Sequence, residues 1–471
     1  MTSLKQQAVY RLSLFCLSLA LTGCGGSSSG TPPAEQNVVV TPVTSPVNQS
    51  QPIEDISCSV SYPLRISAVY QEINNAQLPM LFDGNKTNRS LWQSSQLDES
   101  IIIELEEPAL LKEMVISWRD LAVSHLFDVS VSKDKESWQL LVNQEHSTAG
   151  VLIPELVHLT QSSLATALYI KLTLTGSNMS LPSELVEVEL FGCEQESSHD
   201  IELIDWYLSV PTDDDGNGKS DSIKETDLAQ GYFDPRFFSL SKDGGLIFST
   251  SVSGYKTSTN TKYVRSELRG MLRRGNTTYK TQGVNQNNWV FSSAPEMDLV
   301  NAGGINGKLD VEVAVNQVTS TGEDYQIGRV IIGQIHANDD EPVRLYYRKL
   351  PNNVSGAVYI AHEVLGGDDI YYEIIGSRSN SASNPTDGIG LNERFTYSIE
   401  AVGNNLTVTV TKHDGSEFSQ VVDMSESGYD QGGQYMYFKA GVYNQNNSGD
   451  IHDYVRATFY QIDNSHEGYD D

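Results

Sequence analysis

From Cys58 onward, short runs in which apolar and polar residues alternate recur along the chain, and nearly every connection carries Gly, Asn, Asp or Ser. A period of two belongs to half-buried strands. Between Cys58 and Cys193 it predicts strands at Ser100–Leu105, Glu113–Trp118, Phe127–Ser132, Ala167–Leu174 and Leu185–Phe191. Beyond Ile201 it predicts them at Gly245–Thr250, Lys308–Val315, Gly328–His336, Val343–Leu350, Ile370–Ile375, Phe395–Val402, Leu406–Lys412, Tyr435–Tyr443 and Tyr454–Ile462. Only Ser222–Gln230 reads as a helix. The fold class is therefore all-β, a first β-sandwich followed by a two-sheet jelly roll.

Three of these strands have an unusual polar face. Alternation aligns Tyr437, Lys439, Gly441, Tyr443 and Gln445 on one side of one strand, Tyr263, Arg265, Glu267 and Arg269 on another, and Gln334 with His336 on a third. An Arg-x-Glu-x-Arg strand alone is usually a cross-paired solvent face. Three such faces in one domain instead describe a groove rich in donors, suited to an anionic ligand.

The N-terminus breaks the pattern. Lys5 and Arg11 precede an apolar run, Leu12 to Leu21, too short to span a bilayer and typical of a secretory signal. It ends in Leu21-Thr22-Gly23-Cys24, which resembles a bacterial lipobox; lipidation at Cys24 would anchor the chain to a membrane, with the outer membrane or cell surface as the expected location and extracellular release as the alternative. The expected segments are a signal over 1–23, a disordered tether over 24–55, a first folded domain over 56–194, a polar linker over 195–200, a second domain over 201–463 and an acidic tail over 464–471. Processing consumes Cys16 and Cys24, leaving Cys58 and Cys193 as a candidate disulfide worth roughly 4–5 kcal/mol if unstrained.

At 471 residues the chain has room for two domains. With 61 acidic against 31 basic residues and a formal charge of -30, it repels nucleic acid, which is excluded as a partner. The donor-rich faces stand out against that background.

The first domain resembles the discoidin, or coagulation factor type C, fold used by carbohydrate-binding modules of family 32. The residues that carry this are Leu81-Phe82-Asp83-Gly84 with Leu91-Trp92, Phe127 to Ser132 with Trp138, Leu168 to Leu172, and Val186 to Gly192. The resemblance implies a carbohydrate ligand on end loops, where Trp118, Arg119 and His125 are candidates, and a structural calcium near Asp83. Core packing is the competing role for Trp118.

The second domain resembles alginate lyases of polysaccharide lyase family 7, with a concanavalin-like jelly roll. Arg265-Ser266-Glu267-Leu268-Arg269, Gln334-Ile335-His336 and Tyr437 through Gln445 carry the likeness, supported by Trp206-Tyr207-Leu208, Pro211 and Asn288-Trp289. It implies cleavage of the 1,4 linkage of a polyuronate by β-elimination, endolytic and favouring guluronate-containing blocks, by a monomer acting on alginate.

That chemistry needs a set of donors to neutralise the C6 carboxylate, plus a base and an acid with accessible pKa values. Arg265 and Gln334 fit the first need. His336, near 6.5 when unperturbed, and Tyr443, near 10, fit the second, with Tyr443 open to lowering by Lys439, Arg265 or Arg269. The resemblance implies Tyr443 as acid and as base in syn elimination, with His336 as base in the anti case. Glu267, Arg269, Lys439 and Gln445 are expected to bind substrate, with Glu267 orienting its neighbours; no metal is expected in the catalytic site.

Asp213-Asp214-Asp215-Gly216-Asn217-Gly218 has calcium-loop residues but misses EF-hand register at Glu225, so a solvated turn is expected. Two other functions compete. A laminarinase-type hydrolase needs paired carboxylates such as Glu-x-Asp-x-x-Glu, a string absent between Ile201 and Asp471. A non-catalytic glycan-binding lectin is the other.

Overall fold

The computed structural model describes residues 61–87, 90–95, 98–159, 166–193 and 199–469. Cys24 and Cys58 lie outside them, as do the expected signal and tether. Residues 56–471 form one compact unit. Its strands build an antiparallel set in the first β region and two large sheets in the second. Among the described residues α-helix is confined to Glu225–Ala229 and Glu296–Asn301, with one 3-10 turn at Pro79–Leu81, and no helix among them is long and apolar enough to cross a membrane.

In the first region the expected strands at Ser100–Leu105 and Glu113–Trp118 are one continuous strand, Glu99–Trp118. Glu106-Glu107-Pro108 looked like a break because it is polar and Pro108 lacks an N–H. It is a register shift between Glu104 and Ala109 instead. Before the shift the strand pairs with Ile66–Gln71 and Ala167–Ser177; after it, with Glu155–His158 and Glu184–Cys193. One bent strand thus serves two layers, with Ile101, Ile103, Met114, Ile116, Phe127, Val129, Leu172 and Leu190 in the core they share.

Trp118 and His125 belong to that core and are not sugar contacts. They are 4% and 2% exposed, their rings stack at 4.2 Å, and His125 Nδ1 meets Ser183 Oγ at 3.0 Å. Burial pushes the His125 imidazole down to about 4, so it packs as a neutral ring. Cys193, at the end of its strand, is disulfide-bonded.

The second region is a two-sheet jelly roll. One sheet runs, in spatial order, Asp221–Ile223, Trp206–Val210, Arg265–Gly270, Tyr437–Asn444, Arg329–His336, Val343–Arg348, Ser355–Glu363 and Asp369–Ile375. The other runs Phe238–Leu240, Leu246–Ser251, Tyr454–Glu467, Gly304–Gln317, Arg394–Val402, Asn405–Lys412 and Glu417–Asp423. Inward residues of both, among them Phe248, Leu268, Val313, Ile335, Ile360, Tyr397, Phe438, Val442 and Phe459, fill the space between. Polar residues opposite them line the first sheet's outer face.

Two boundaries differ from expectation. The last strand continues to Glu467, past Asp463, because Asn464, Ser465 and Glu467 pair with Leu309, Lys308 and Ile305; backbone pairing holds these polar residues in place. The two β regions also pack against each other. Tyr62 and Ile153 join the jelly-roll core, Arg456 binds Glu189 at 2.9 Å, Tyr454 donates its hydroxyl to the Gly84 carbonyl at 3.1 Å, and Lys86 pairs with Glu189. Against the cost of burial, Lys86 and Arg456 hold the Glu189 carboxyl down to about 2.

The Asp83 side chain accepts the Asn85 N–H at 2.7 Å and the Ser90 hydroxyl at 3.0 Å. Among the described residues no group of three or more His, Cys, Asp or Glu side chains is arranged to hold a metal ion. In the Asp213–Gly218 segment, Asp213 accepts the Gly218 N–H and Asp215 accepts from Asn217, as an Asx-type turn does.

Candidate active site

Strand pairing brings the three donor-rich segments together. Tyr437–Asn444 lies between Arg265–Gly270 and Arg329–His336, with Arg265 opposite Tyr443, Arg269 opposite Lys439, Lys439 opposite Gln334, and Tyr437 opposite His336. Their odd-numbered partners on the central strand face outward while Phe438, Ala440 and Val442 enter the core. A cleft of about 710 Å³ opens over this face, lined by Arg265, His336, Tyr437, Lys439, Tyr443 and Gln445 together with Arg329, Glu341, Arg344 and Tyr346.

A bulge makes this alignment possible. The register slips between Ile331 and Gly333 against both neighbouring strands. Without the extra residue, the side of the strand that carries Arg329 and Ile331 to the cleft would turn Gln334 and His336 into the core. Opposite this irregularity stands Gly441 at φ +136°, where an added Cβ would lie 2.6 Å from the Ser266 carbonyl oxygen and 2.8 Å from the Glu267 Cα. Only glycine lets the strands approach there.

Beneath the cleft, Glu267 is the anchor. It is 1% exposed and accepts from Arg265 at 2.8 Å, from Lys439 at 2.5 Å and from the Gln334 amide. Burial opposes its charge, yet Lys439 and Arg265 hold the carboxyl below its usual range. Glu267 therefore orients Arg265 and Lys439 and presents no free oxygen to a substrate. Gln334, 1% exposed, spends one of its two N–H donors on Glu267.

Arg265 stacks its guanidinium over the Tyr443 ring at 3.7 Å and keeps a buried Nε without a partner. Lys439 is pushed down to about 8, chiefly by burial and then by Arg265. His336 is pushed down to about 3 by burial, with Lys439 adding to the effect, while its bond to the Ala337 carbonyl works the other way. Because a carbonyl only accepts, the 2.6 Å contact between His336 Nδ1 and Ala337 O puts the proton on Nδ1 and leaves Nε2 as the lone-pair nitrogen. Gln445, 5% exposed, has an amide nitrogen with no partner.

Besides Glu267, expected to bind substrate but held by Arg265, Lys439 and Gln334, two expectations need correction. Tyr443 is raised above its ordinary value, because burial outweighs Arg265; neither Lys439 nor Arg269 brings it down. Arg269, expected to bind substrate, is 3% exposed and committed to structure: it donates to Gly270 O, Met271 Sδ, Thr281 O and Asn288 Oδ1, and lies 3.9 Å over the Tyr437 ring. Alternation identified its face correctly, but a long side chain on that face bends toward a loop that alternation cannot reveal.

Arg329, Glu341, Arg344 and the Tyr346, Tyr359 and Tyr371 cluster were missed. Tyr346 and Tyr359 stack at 4.8 Å, and Arg329 sits 5.3 Å over Tyr346. The Ser355–Glu363 strand that supplies Tyr359 is buried on both faces, so its unbroken apolar run lacks the period of two. Arg344, Tyr346 and Arg348 at alternate positions of one strand were the available signal.

Residues 201–466 match the family described as Alginate_lyase2, alginate lyase. The chain belongs to the alginate lyase family. An alginate lyase of Klebsiella pneumoniae is 54% identical over 274 residues, which is 56% of this chain and 89% of that protein. The crystal structure of the alginate lyase from Klebsiella pneumoniae matches at 53% identity with a TM-score of 0.56, covering 56% of this chain and 96% of that one. Alginate lyase A1-II′, described as a member of polysaccharide lyase family 7, matches over 57% of this chain and 96% of its own at 22% identity and a TM-score of 0.41. All three likenesses leave more than two fifths of this alginate lyase family member unmatched.

Proposed function

We propose that this protein depolymerises alginate by β-elimination, endolytically and with guluronate-containing blocks favoured, releasing oligosaccharides with a 4,5-unsaturated non-reducing end. The observation that carries it is the convergence of Arg265, His336, Lys439 and Tyr443 on one cleft, over a Gln334–Glu267 base that aims the cations.

The C6 carboxylate of the uronate bound beside the scissile bond is met by Arg265 and by the free amide donors of Gln334 and Gln445. Neutralising it makes the neighbouring C5 proton removable and stabilises the enolate-like intermediate. His336 starts unprotonated at Nε2 and Tyr443 starts protonated, the states a base and an acid require. In anti elimination His336 takes the C5 proton, the electron pair forms the C4–C5 double bond, the C4–O4 bond breaks, and Tyr443 gives its proton to O4. Syn elimination starts from the Tyr443 phenolate: the hydroxyl proton first passes to solvent, with Arg265 offsetting the charge. The phenolate then takes the C5 proton, and the re-formed hydroxyl gives it to O4 as the C4–O4 bond breaks. The side chains supply the positive charge; no metal is invoked.

The first β region is proposed to hold a carbohydrate through its loops, as a discoidin-like module, and Cys24 to carry a lipid anchor at the outer membrane. The deciding experiment digests polyguluronate and polymannuronate side by side, following ultraviolet absorbance of the new double bond and product length. Early accumulation of mixed oligomers from polyguluronate is expected. Folded protein that yields no absorbance on any block type, or that yields saturated reducing ends, overturns the reading.

A further inference from the structure

Glu341 borders the cleft just after the His336 strand, and its Oε1 lies 3.2 Å from His336 Nε2. Since Nδ1 already donates to Ala337 O, a neutral imidazole offers Nε2 only as an acceptor. The contact then needs a proton that comes from the carboxyl group.

The charges around Glu341 favour that arrangement. From the neighbouring strands come Arg344, Glu363 and Asp369: one guanidinium serves three carboxyl groups. Arg344 pairs with Asp369 and reaches Glu363 at 3.4 Å, but it stands 3.8 Å from Glu341. Across the cleft, Lys439 and Arg265 are committed to Glu267, and Tyr443 is uncharged. On its own segment Asp340 accepts the Gly366 N–H, and Asp339 lines the cleft. Glu341 is the carboxyl farthest from that guanidinium, and its side chain also hydrogen-bonds Glu363, which competes with His336 for its proton. Burial first, opposed by Arg344 and reinforced by Glu363, pushes it up to about 7.

We propose that Glu341 is a positioning residue which, as a neutral carboxylic acid, donates a hydrogen bond to His336 Nε2 and adds no further negative charge to that wall of the cleft. This rests on the lyase reading of the same cleft. When substrate arrives, the carboxyl group yields Nε2 to the C5 proton without having ionised. Once Glu341 loses its proton, two changes follow together: Nε2 loses its donor, and a negative charge faces the substrate's own carboxylates. The KM for polyuronate therefore rises as pH passes through the Glu341 pKa.

The test is a pH series on Glu341→Gln, whose amide still donates to Nε2 but cannot titrate. Between about pH 6 and pH 9 the wild-type KM is expected to rise about tenfold more than the Glu341→Gln KM, the scale of one uncompensated charge nearby, while the rise common to both follows the loss of the Lys439 charge around pH 8. Glu341→Ala, with no donor, is expected to lose kcat across the whole range. Parallel KM profiles for wild type and Glu341→Gln overturn the proposal. A second measurement needs no substrate: imidazole nitrogen-15 shifts, assigned with His336→Asn. They should report a hydrogen-bonded Nε2 that becomes free above neutrality in wild type and stays bonded in Glu341→Gln. An Nε2 signal indifferent to pH in wild type overturns the inference even if alginate is cleaved, and a titrating signal without alginate cleavage places the failure in the functional reading instead.

Discussion

Cations lie over aromatic rings both on the first β region and in the jelly-roll cleft, and the two settings differ in burial. On the first β region, Lys135 sits 4.3 Å over Tyr169 and 5.1 Å over Tyr70, and Lys171 lies 4.3 Å over Trp138. In the cleft, Arg265 lies 3.7 Å over Tyr443. The residue types and distances are close, but the solvent is not. Lys135 is 40% exposed, and a hydrogen bond with Tyr70 raises its pKa; Lys439 is 9% exposed, and burial pulls it down to about 8. Water screens the first set, so its charges do little beyond local pairing. In the cleft the same charges act through a low dielectric, where they can bias a reaction.

The sharpest way to break this contrast is to remove one reactive group from each face. Tyr443→Phe should lower kcat by about 10²–10⁴, read from the unsaturated product with circular dichroism confirming the fold, while Lys171→Ala leaves kcat unchanged. Equal losses would show that burial is not what separates the faces.

Next in size is the counter-charge. Glu267→Gln leaves Arg265 and Lys439 buried without an anion and should cost about 3–5 kcal/mol of unfolding free energy. Glu104→Gln, which removes the exposed partner of Lys135, should cost under about 1 kcal/mol. Denaturant titration of both variants measures the difference.

Counted per ring and per pH unit, acid gives a smaller effect, spread over both regions. Burial lowers His125 and His466 to about 4 and His336 to about 3. Below the unfolded value near 6.5 the unfolded chain takes up protons that the folded one refuses. Stability should therefore fall as pH drops from about 6.5 toward 4, by up to about 1.4 kcal/mol per pH unit for each ring. Melting temperatures against pH should show that slope, and His125→Asn should flatten one share of it without touching the cleft. The smallest effect belongs to Lys135→Ala, whose exposed cation–π contacts should be worth about 1 kcal/mol or less by thermal denaturation.

Legibility varied residue by residue. Tyr437 to Tyr443 announced its two faces because a half-buried strand writes its environment into alternation. Ser355–Glu363 did not, since both of its faces are covered. Gln334 and His336 could be paired with each other, yet their shared face with Arg329 depends on a bulge with no distinct local signature. Arg269 looked like the twin of Arg265 until Thr281 and Asn288, from a loop, claimed its guanidinium.

By itself the sequence determined the all-β class, the order of the two β regions and the residue types gathered on the reactive strands, because periodicity and side-chain chemistry are local properties. Only the tertiary structure decided which donors stay free, which carboxyl lies farthest from a shared cation and which histidine nitrogen carries the proton. Those outcomes depend on desolvation and on partners far away in the chain, and neither leaves a trace in the spacing of residues.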